Sequence, residues 1–307
     1  MTIACGMDIG SNSFRLLVAE IRDGRLHPLA HDLVTVRLGE RLGASGLILP
    51  AAMMRGESAL ARFAGKIAPY PLDSVRVCAT HAVRMAANRE EFLQRAESLI
   101  GVRVEVLSGE EEARLALLGA LSGLPEEQPR SSLVLVDVGG GSSEIILRAT
   151  PGSEPRVISL PLGAVGLSEE FGAKLAPMRK KIQAALAPAL RSIAGGEMVE
   201  KSPRLVASGG TATSLAALGL GLDRYDALRV QNYHLSPARL QTLVARLISL
   251  SPGERNGLPI LAEGRGEIIV AGAMVLQEVQ LALASRSLLV SDAGLLEGIL
   301  LSGATDC

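Results

Sequence analysis

The 307-residue chain has no tryptophan, and only four phenylalanines and three tyrosines. Platforms for stacking nucleic-acid bases are therefore almost absent. A formal net charge of −1 offers no broad basic footprint for a nucleic-acid backbone. The core must be aliphatic. Three cysteines, Cys5, Cys78 and Cys307, lie far apart with no CxxC pair, a pattern that suits a reducing compartment rather than a disulfide framework. The four histidines are scattered, which argues against a zinc cluster. The opening Met1–Asp8 has no basic n-region, so no signal peptide is expected. No apolar run reaches membrane-spanning length, and even 268–285 is broken by Gln277, Glu278 and Gln280. These absences predict a cytoplasmic protein that contacts neither nucleic acid nor membrane. Two familiar catalytic signatures are missing as well. Gly65-Lys66 has Leu60 and Ile67 where a P-loop needs glycine and a hydroxyl residue, and there is no Gly-x-Ser-x-Gly elbow.

What is present is 48% hydrophobic and 21% charged, the composition of a globular chain long enough for two domains. Only five of its 31 basic residues are lysine, and the arginine fork suits phosphate oxyanions. Thr2–Asp8 reads as a buried strand ending in a turn. Phe14–Ile21 and His27–Val36 follow as further strands, with a hairpin turn at Arg22-Asp23-Gly24-Arg25. Helical spacing covers Ala51–Ala68, His81–Leu99 and Glu110–Leu121, with short strands at Ser74–Ala79 and Val102–Leu107. Pro125-Glu126-Glu127-Gln128-Pro129 is the best domain boundary. Beyond it the plan restarts with strands at Leu133–Asp137, Ser143–Arg148 and Arg156–Leu160, then a helical stretch over Ser168–Ile193. Two domains, 1–125 and 126–307, are expected, the last helix being free to pack back on the first. Two such α/β halves leave a cleft, the usual place for a ligand.

The strongest local signal is Asp137-Val138-Gly139-Gly140-Gly141-Ser142-Ser143-Glu144. Three glycines strip the turn of Cβ atoms, so backbone N–H groups can close on an oxyanion. Asp137 and Glu144 would repel a phosphate unless a divalent cation lay between, and Mg²⁺ held by one or two carboxylates plus phosphate oxygens fits. Asp8-Ile9-Gly10-Ser11-Asn12-Ser13 occupies the matching place in the first half. Ala79-Thr80-His81-Ala82-Val83-Arg84 marks a strand entering a helix, a start that attracts anions, and Arg84 lies about one turn inside. Ser108-Gly109-Glu110-Glu111-Glu112 reads either as an acidic first turn capped by Ser108 or as a catalytic cluster. Ser208-Gly209-Gly210-Thr211 is a third glycine turn, and Ser291-Asp292-Ala293-Gly294 a late small-residue turn.

These motifs, in this order and with Leu160-Pro161-Leu162-Gly163-Ala164-Val165 between them, resemble the exopolyphosphatase / guanosine pentaphosphate phosphohydrolase family. That family lies within the acetate/sugar kinase–actin–chaperone ATPase superfamily. The resemblance implies an α/β fold of two actin-like, ribonuclease H-like domains with an interdomain cleft. It implies Glu112 as the base that activates water, Glu111 being the alternative. Asp8, Ser11, Asn12, Arg84, Gly139, Gly140, Gly141 and Ser142 would hold terminal phosphates, and Ser208, Gly209, Gly210 and Thr211 the next ones. Asp137 and Glu144 would hold Mg²⁺ or another divalent cation. Gly166 stands where relatives commonly carry arginine, and Arg265-Gly266-Glu267 replaces the usual Arg-Ala-Asp. Long members add C-terminal helical domains that this chain lacks, which suggests short-chain polyphosphate. The expected activity is Mg²⁺-dependent, processive exopolyphosphatase action. The alternatives are hydrolysis of guanosine pentaphosphate and a non-catalytic phosphate or nucleotide sensor. A homodimer is the state the resemblance favours.

Overall fold

A computed structural model describes residues 2–125, 132–194 and 203–303; residues 126–129 of the expected boundary and Cys307 lie outside them. The chain forms two compact units. The first holds the residues through Ser122 together with those from Gly294 onward, and the second runs Gly123–Ala293. The second unit ends at Ala293, and the last helix lies with the first unit, the packing that the sequence left open to it.

The first unit begins with β1 (Thr2–Ile9), β2 (Ser13–Arg22) and β3 (Arg25–Thr35), followed by α1 (Leu42–Ser45) and α2 (Pro50–Ile67). Then come β4 (Ser74–Ala79), α3 (His81–Met85), α4 (Arg89–Ile100), β5 (Val104–Val106) and α5 (Gly109–Gly123). Its sheet has the order β3-β2-β1-β4-β5. The first three strands are an antiparallel meander, and β4 and β5 run parallel to β1. The helix expected over His81–Leu99 is interrupted. Asn88 turns its side-chain amide onto the backbone of Ile48, with Oδ1 accepting from Ile48 N at 2.9 Å and Nδ2 donating to Ile48 O at 3.0 Å. Ala87 N also donates to Gly46 O. Those tethers outweigh continued helix, because a short α3 must leave the sheet at one angle and α4 must pack on α2 at another.

The second unit contains β6 (Leu133–Val138), β7 (Ser143–Arg148), β8 (Arg156–Leu160), α6 (Ala164–Phe171), α7 (Leu175–Ala194), β9 (Arg204–Ser208) and α8 (Gly209–Leu220). It continues with α9 (Ala227–Val230), β10 (His234–Leu235), α10 (Pro237–Ser249), α11 (Pro252–Asn256), α12 (Arg265–Ala282) and β11 (Leu288–Val290); α13 (Leu295–Gly303) belongs to the first unit. The sheet order is β10-β11-β9-β6-β7-β8. An antiparallel meander, β6-β7-β8, is again extended by parallel strands, β9 and β11. Both sheets are therefore mixed and share one plan, the α/β duplication that the actin-like resemblance implies. The single helix expected over Ser168–Ile193 is split at Gly172, whose φ of 52° ends α6.

Aliphatic burial holds each unit. In the first, Met7, Ile9, Leu16, Val18, Val77 and Ala79 face α2 and α4, with Phe14 and Phe92 edge to face at 6.4 Å. The opposite face carries Ala4, Leu17 and Ala19 under Leu296 and Leu300 of α13. There α13 meets α5 so closely that a Cβ on Gly298 would lie 1.9 Å from Leu115 O. In the second unit α12 is nearly all buried, from Ile268 to Val279, which accounts for a helix with no polar face. Gln231 ties together the two ends of that unit. Its Nε2 donates to Gly123 O at 2.7 Å, and its Oε1 accepts from Asp292 N at 2.7 Å. The late Ser291–Gly294 turn is thus held by the Gln231 side chain, which accepts from the backbone N–H groups of Asp292 and Ala293. Among the described residues no helix is long and apolar enough to cross a membrane.

Candidate functional site

In the second unit, strand register sets a polar row across four strands. Ser208 on β9 faces Asp137 on β6, Asp137 faces Glu144 on β7, and Glu144 faces Ser159 on β8. Residues directly opposite in a ladder share a face, so both carboxylates project from one side of the sheet at its β6–β7 turn. Hydroxyls orient them: Ser208 Oγ donates to Asp137 Oδ2 at 2.9 Å, and Ser159 Oγ to Glu144 Oε1 at 2.8 Å. Glu144 is only 2% exposed. Burying a carboxylate costs stability unless hydrogen bonds or a cation compensate, and an adjacent pair of carboxylates raises that cost. Two carboxylates in register suit Mg²⁺, which takes one or two protein carboxylates and fills its shell with phosphate oxygens and water. Among the described residues no group of three or more His, Cys, Asp or Glu side chains gathers for a closed metal site.

The turn between these strands is shaped by α6. Gly139 N donates to Ser142 O, closing the turn, while Gly139 O and Gly140 O accept from Ala164 N and Val165 N at the start of α6. A trans peptide points its N–H opposite to its C=O. Carbonyls 139 and 140 turned toward α6 therefore aim the N–H groups of Gly140 and Gly141 away from it, as an oxyanion cradle requires. The approach is so close that a Cβ on Gly163 would lie 2.2 Å from Gly140 O. Ser143 Oγ donates to Leu162 O at 2.8 Å and fixes the segment leading into α6.

The third glycine turn opens α8. Ser208 is wholly buried and committed to Asp137, and Thr211 is 1% exposed and packed against Gly272 of α12. Gly209 (φ 84°) and Gly210 leave the first N–H groups of α8 as what this turn offers an anion. Arg265, the first residue of α12, rests its guanidinium on Gly210, 2.4 Å from where a Cβ would stand. In the sequence Arg265 heads the Arg265-Gly266-Glu267 stretch, whose departure from Arg-Ala-Asp lies in its second and third residues.

In the first unit the corresponding row is Cys78 on β4, Asp8 on β1 and Arg15 on β2. Arg15 stands where Glu144 stands in the other unit, and it engages Asp8 by Nε and Nη2 at 2.8 and 2.7 Å. Cys78 replaces Ser208, and burial pushes its thiol up to about 12, so it is an inert filler. The two Asp-x-Gly turns are therefore chemically different, one acidic and the other cationic at its edge. The turn after β1 is gripped by the next segment: Ser11 O accepts from Gly39 N, and Asn12 O from Val36 N and Arg37 N. By the same trans-peptide argument the N–H of Asn12 points away from that segment. Ser11 and Asn12 are buried, and Asn12 Oδ1 and Asp8 Oδ1 have no hydrogen-bond partner. A half-turn of the Asn12 amide presents Nδ2 at that buried position and lets the Ser13 hydroxyl donate to Oδ1.

Geometry also separates the adjacent acids of α5. Ser108 Oγ accepts from Glu111 N at 3.1 Å, and Glu111 Oε2 accepts from Ser108 N at 2.8 Å. That is a capping box, and these bonds hold the Glu111 carboxyl below the usual range. Glu112 instead turns to Arg84, whose Nη1 lies 3.2 Å from Glu112 Oε2 and also donates to Leu107 O at 2.5 Å. Their side chains are 12% and 21% exposed, partly shielded yet reachable. His81 opens α3 beside Arg84, and burial first, then the Arg84 charge, lowers its pKa. Arg15, Ser159, Arg265 and Gly163 were not picked out as site residues in the sequence. Gly163, within the Leu160–Val165 motif, and Arg265, within Arg265-Gly266-Glu267, carried a signal there.

A family model described as the Ppx/GppA phosphatase family matches residues 17–306. Exopolyphosphatase 2 of Mycobacterium tuberculosis is 31% identical over 325 residues, covering 98% of this chain and 98% of that protein. A solved exopolyphosphatase-like protein superposes with a TM-score of 0.89 at 28% identity, covering 98% of this chain and 97% of the other. An exopolyphosphatase from Cytophaga hutchinsonii gives 0.87 at 26% identity over 98% of each chain. A Ppx/GppA member from Aquifex aeolicus gives 0.80 at 28% identity, covering 99% and 98%.

Proposed function

The chain belongs to the Ppx/GppA phosphatase family, and on that premise we propose that it is an exopolyphosphatase, releasing orthophosphate from the ends of inorganic polyphosphate. The observation that carries this reading is the Arg84–Glu112 pair, with Glu111 diverted to the helix cap. Glu112 accepts a proton from the attacking water as its oxygen bonds to the terminal phosphorus. The phosphoanhydride P–O bond then breaks, and the shortened chain departs. Arg84 orients Glu112 and, with Ser11 and Asn12, binds phosphate in the first unit, while the Gly139–Ser142 N–H groups bind phosphate in the second. Asp8 acts through Arg15, and the start of α8 with Arg265 takes phosphates further along the chain. Such chemistry is mostly positioning and charge neutralisation. Mg²⁺ held by Asp137 and Glu144 would supply positive charge at the phosphate oxygens.

The similarity to Mycobacterium tuberculosis exopolyphosphatase 2 over the whole of both chains supports polyphosphate as substrate. The test is phosphate release from tripolyphosphate, long polyphosphate and guanosine pentaphosphate, each with and without Mg²⁺. Mg²⁺-dependent release from the polyphosphates is expected. Release confined to the pentaphosphate would transfer the same machinery to a nucleotide substrate, and no release from any would leave a binding protein.

A further inference from the structure

Arg55 lies on α2, beside the point where that helix is seated most tightly on the sheet. At the next residue, Gly56, a Cβ would stand 3.1 Å from the ring of Phe92 and 3.4 Å from that of Phe14. Close packing of this kind leaves a helix little room to shift. From that base the Arg55 guanidinium grips the segment 36–40. Its Nε donates to Val36 O at 2.7 Å, and its Nη2 to Glu40 Oε2 at 2.7 Å and to Arg37 O at 3.4 Å.

The other side of the same segment holds the Ser11–Asn12 turn. Val36 N and Arg37 N donate to Asn12 O at 2.9 and 2.7 Å, and Gly39 N donates to Ser11 O at 2.8 Å. The peptide joining Val36 to Arg37 thus carries Arg55 on its carbonyl and Asn12 on its N–H. A trans peptide directs those groups oppositely, and a cationic donor on the carbonyl polarises the N–H beyond it. Gly39 brings the segment close to both neighbours, since an added Cβ would lie 3.2 Å from that of Ser11 and 3.7 Å from that of Ala82 on α3. The Arg55 and Glu40 side chains are 40% and 38% exposed, and an ion pair so open adds little to stability. Asn12, at the end of this chain of bonds, is 6% exposed, and its Oδ1 has no hydrogen-bond partner among the described residues. A buried amide that the fold leaves incomplete calls for a polar group from elsewhere.

We propose that Arg55 is a positioning residue for phosphate binding, an inference that rests on the polyphosphate reading above. It touches no substrate. Its guanidinium fixes the segment 36–40, and that segment fixes the Ser11–Asn12 turn whose side chains bind phosphate.

The test uses the full-length protein with Arg55→Met, which keeps the apolar stem and removes the fork, and Arg55→Lys, which keeps the charge alone. Three quantities are read: the thermal midpoint, kcat and KM for phosphate release from tripolyphosphate with Mg²⁺, and the tripolyphosphate Kd by calorimetry. In Arg55→Met, KM and Kd should rise on the order of 10-fold, as a slightly displaced binding group requires. The change in kcat should be smaller, and the thermal midpoint should stay near the parent's. Arg55→Lys should fall between, and it decides on the same terms if Arg55→Met does not fold. In an Asn12→Ala background, Arg55→Met should lower kcat/KM by less than about threefold, because the principal group it positions is gone. An undiminished cost there would make Arg55 a general support of the fold and overturn the proposal. So would a KM and Kd within about twofold of the parent, whatever the thermal midpoint. A parent that neither binds nor hydrolyses tripolyphosphate overturns the functional reading and this one together. A parent that does both, with variants that match it, overturns only this one.

Discussion

Glu111 and Glu112 are neighbours in the chain, yet the helix assigns them different work. Glu111 closes a capping box with Ser108, while Glu112 pairs with Arg84. Glu112→Gln should keep tripolyphosphate binding in calorimetry and lose turnover by a factor on the order of 10²–10⁴. Glu111→Gln should keep turnover within a few-fold and cost about 1 kcal/mol of stability through the weakened cap. Equal turnover losses in the two variants would remove the distinction. The capping box was readable in Ser108-x-x-Glu111; the partner of Glu112, 28 residues earlier, was not, because only the fold brings α3 beside α5. His81 titrates against that background. Its folded pKa lies below the ordinary 6.5, so below pH 6.5 the unfolded chain takes up a proton that the folded chain refuses. Stability therefore falls as pH drops through that window, and above it the neutral imidazole contributes nothing. Denaturant midpoints at about pH 7.5 and about pH 5.5 should differ less in His81→Gln than in the parent.

At the scale of elements, close backbone approaches set the geometry. Gly163→Ala would drive a Cβ to within 2.2 Å of Gly140 O, forcing the α6 start off the Gly139–Gly141 turn. A displacement near 1 Å at a phosphate cradle can cost about 100-fold, so kcat/KM for tripolyphosphate should fall by that order. Gly298→Ala would instead press α13 against Leu115 O at 1.9 Å. The expected result is destabilisation of about 1–3 kcal/mol or more from overpacking, read in urea melts, with residual activity per folded molecule preserved. A drop in kcat/KM without loss of stability in Gly298→Ala would reverse that assignment. The strands, their turns and most helices were legible from alternation and glycine punctuation. The break at Ala86–Asn88 was not, since its cause is Asn88 bonding to Ile48, 40 residues away.

For the whole molecule, the net charge of −1 makes recognition of a polyanion a local affair. Arginines stand beside individual candidate residues: Arg15 beside Asp8, Arg84 beside Glu112, and Arg265 on Gly210. Metal dependence should likewise be functional rather than structural. Chelation by EDTA is expected to abolish phosphate release while shifting the thermal midpoint by less than about 2 °C, because the described residues form no closed cluster of metal-binding side chains. A larger shift would mean that a cation also supports the fold.

The sequence alone determined the duplicated plan and the two Asp-x-Gly turns, since strand alternation and runs of glycine are local properties of the chain. It also placed Asp137 beside Glu144, because two strands joined by a tight glycine turn can pair in only a few registers. Tertiary structure decided what those turns do. Register between paired strands put Ser208 on Asp137, Ser159 on Glu144 and Arg15 on Asp8, so two turns alike in sequence became one acidic and one cationic. It also buried the hydroxyls of Ser208 and Thr211 and carried the last helix to the first unit. The Ser208–Asp137 bond spans 71 residues, and the last helix returns to a unit that begins at the N-terminus; no local pattern encodes which distant segment will supply such contacts.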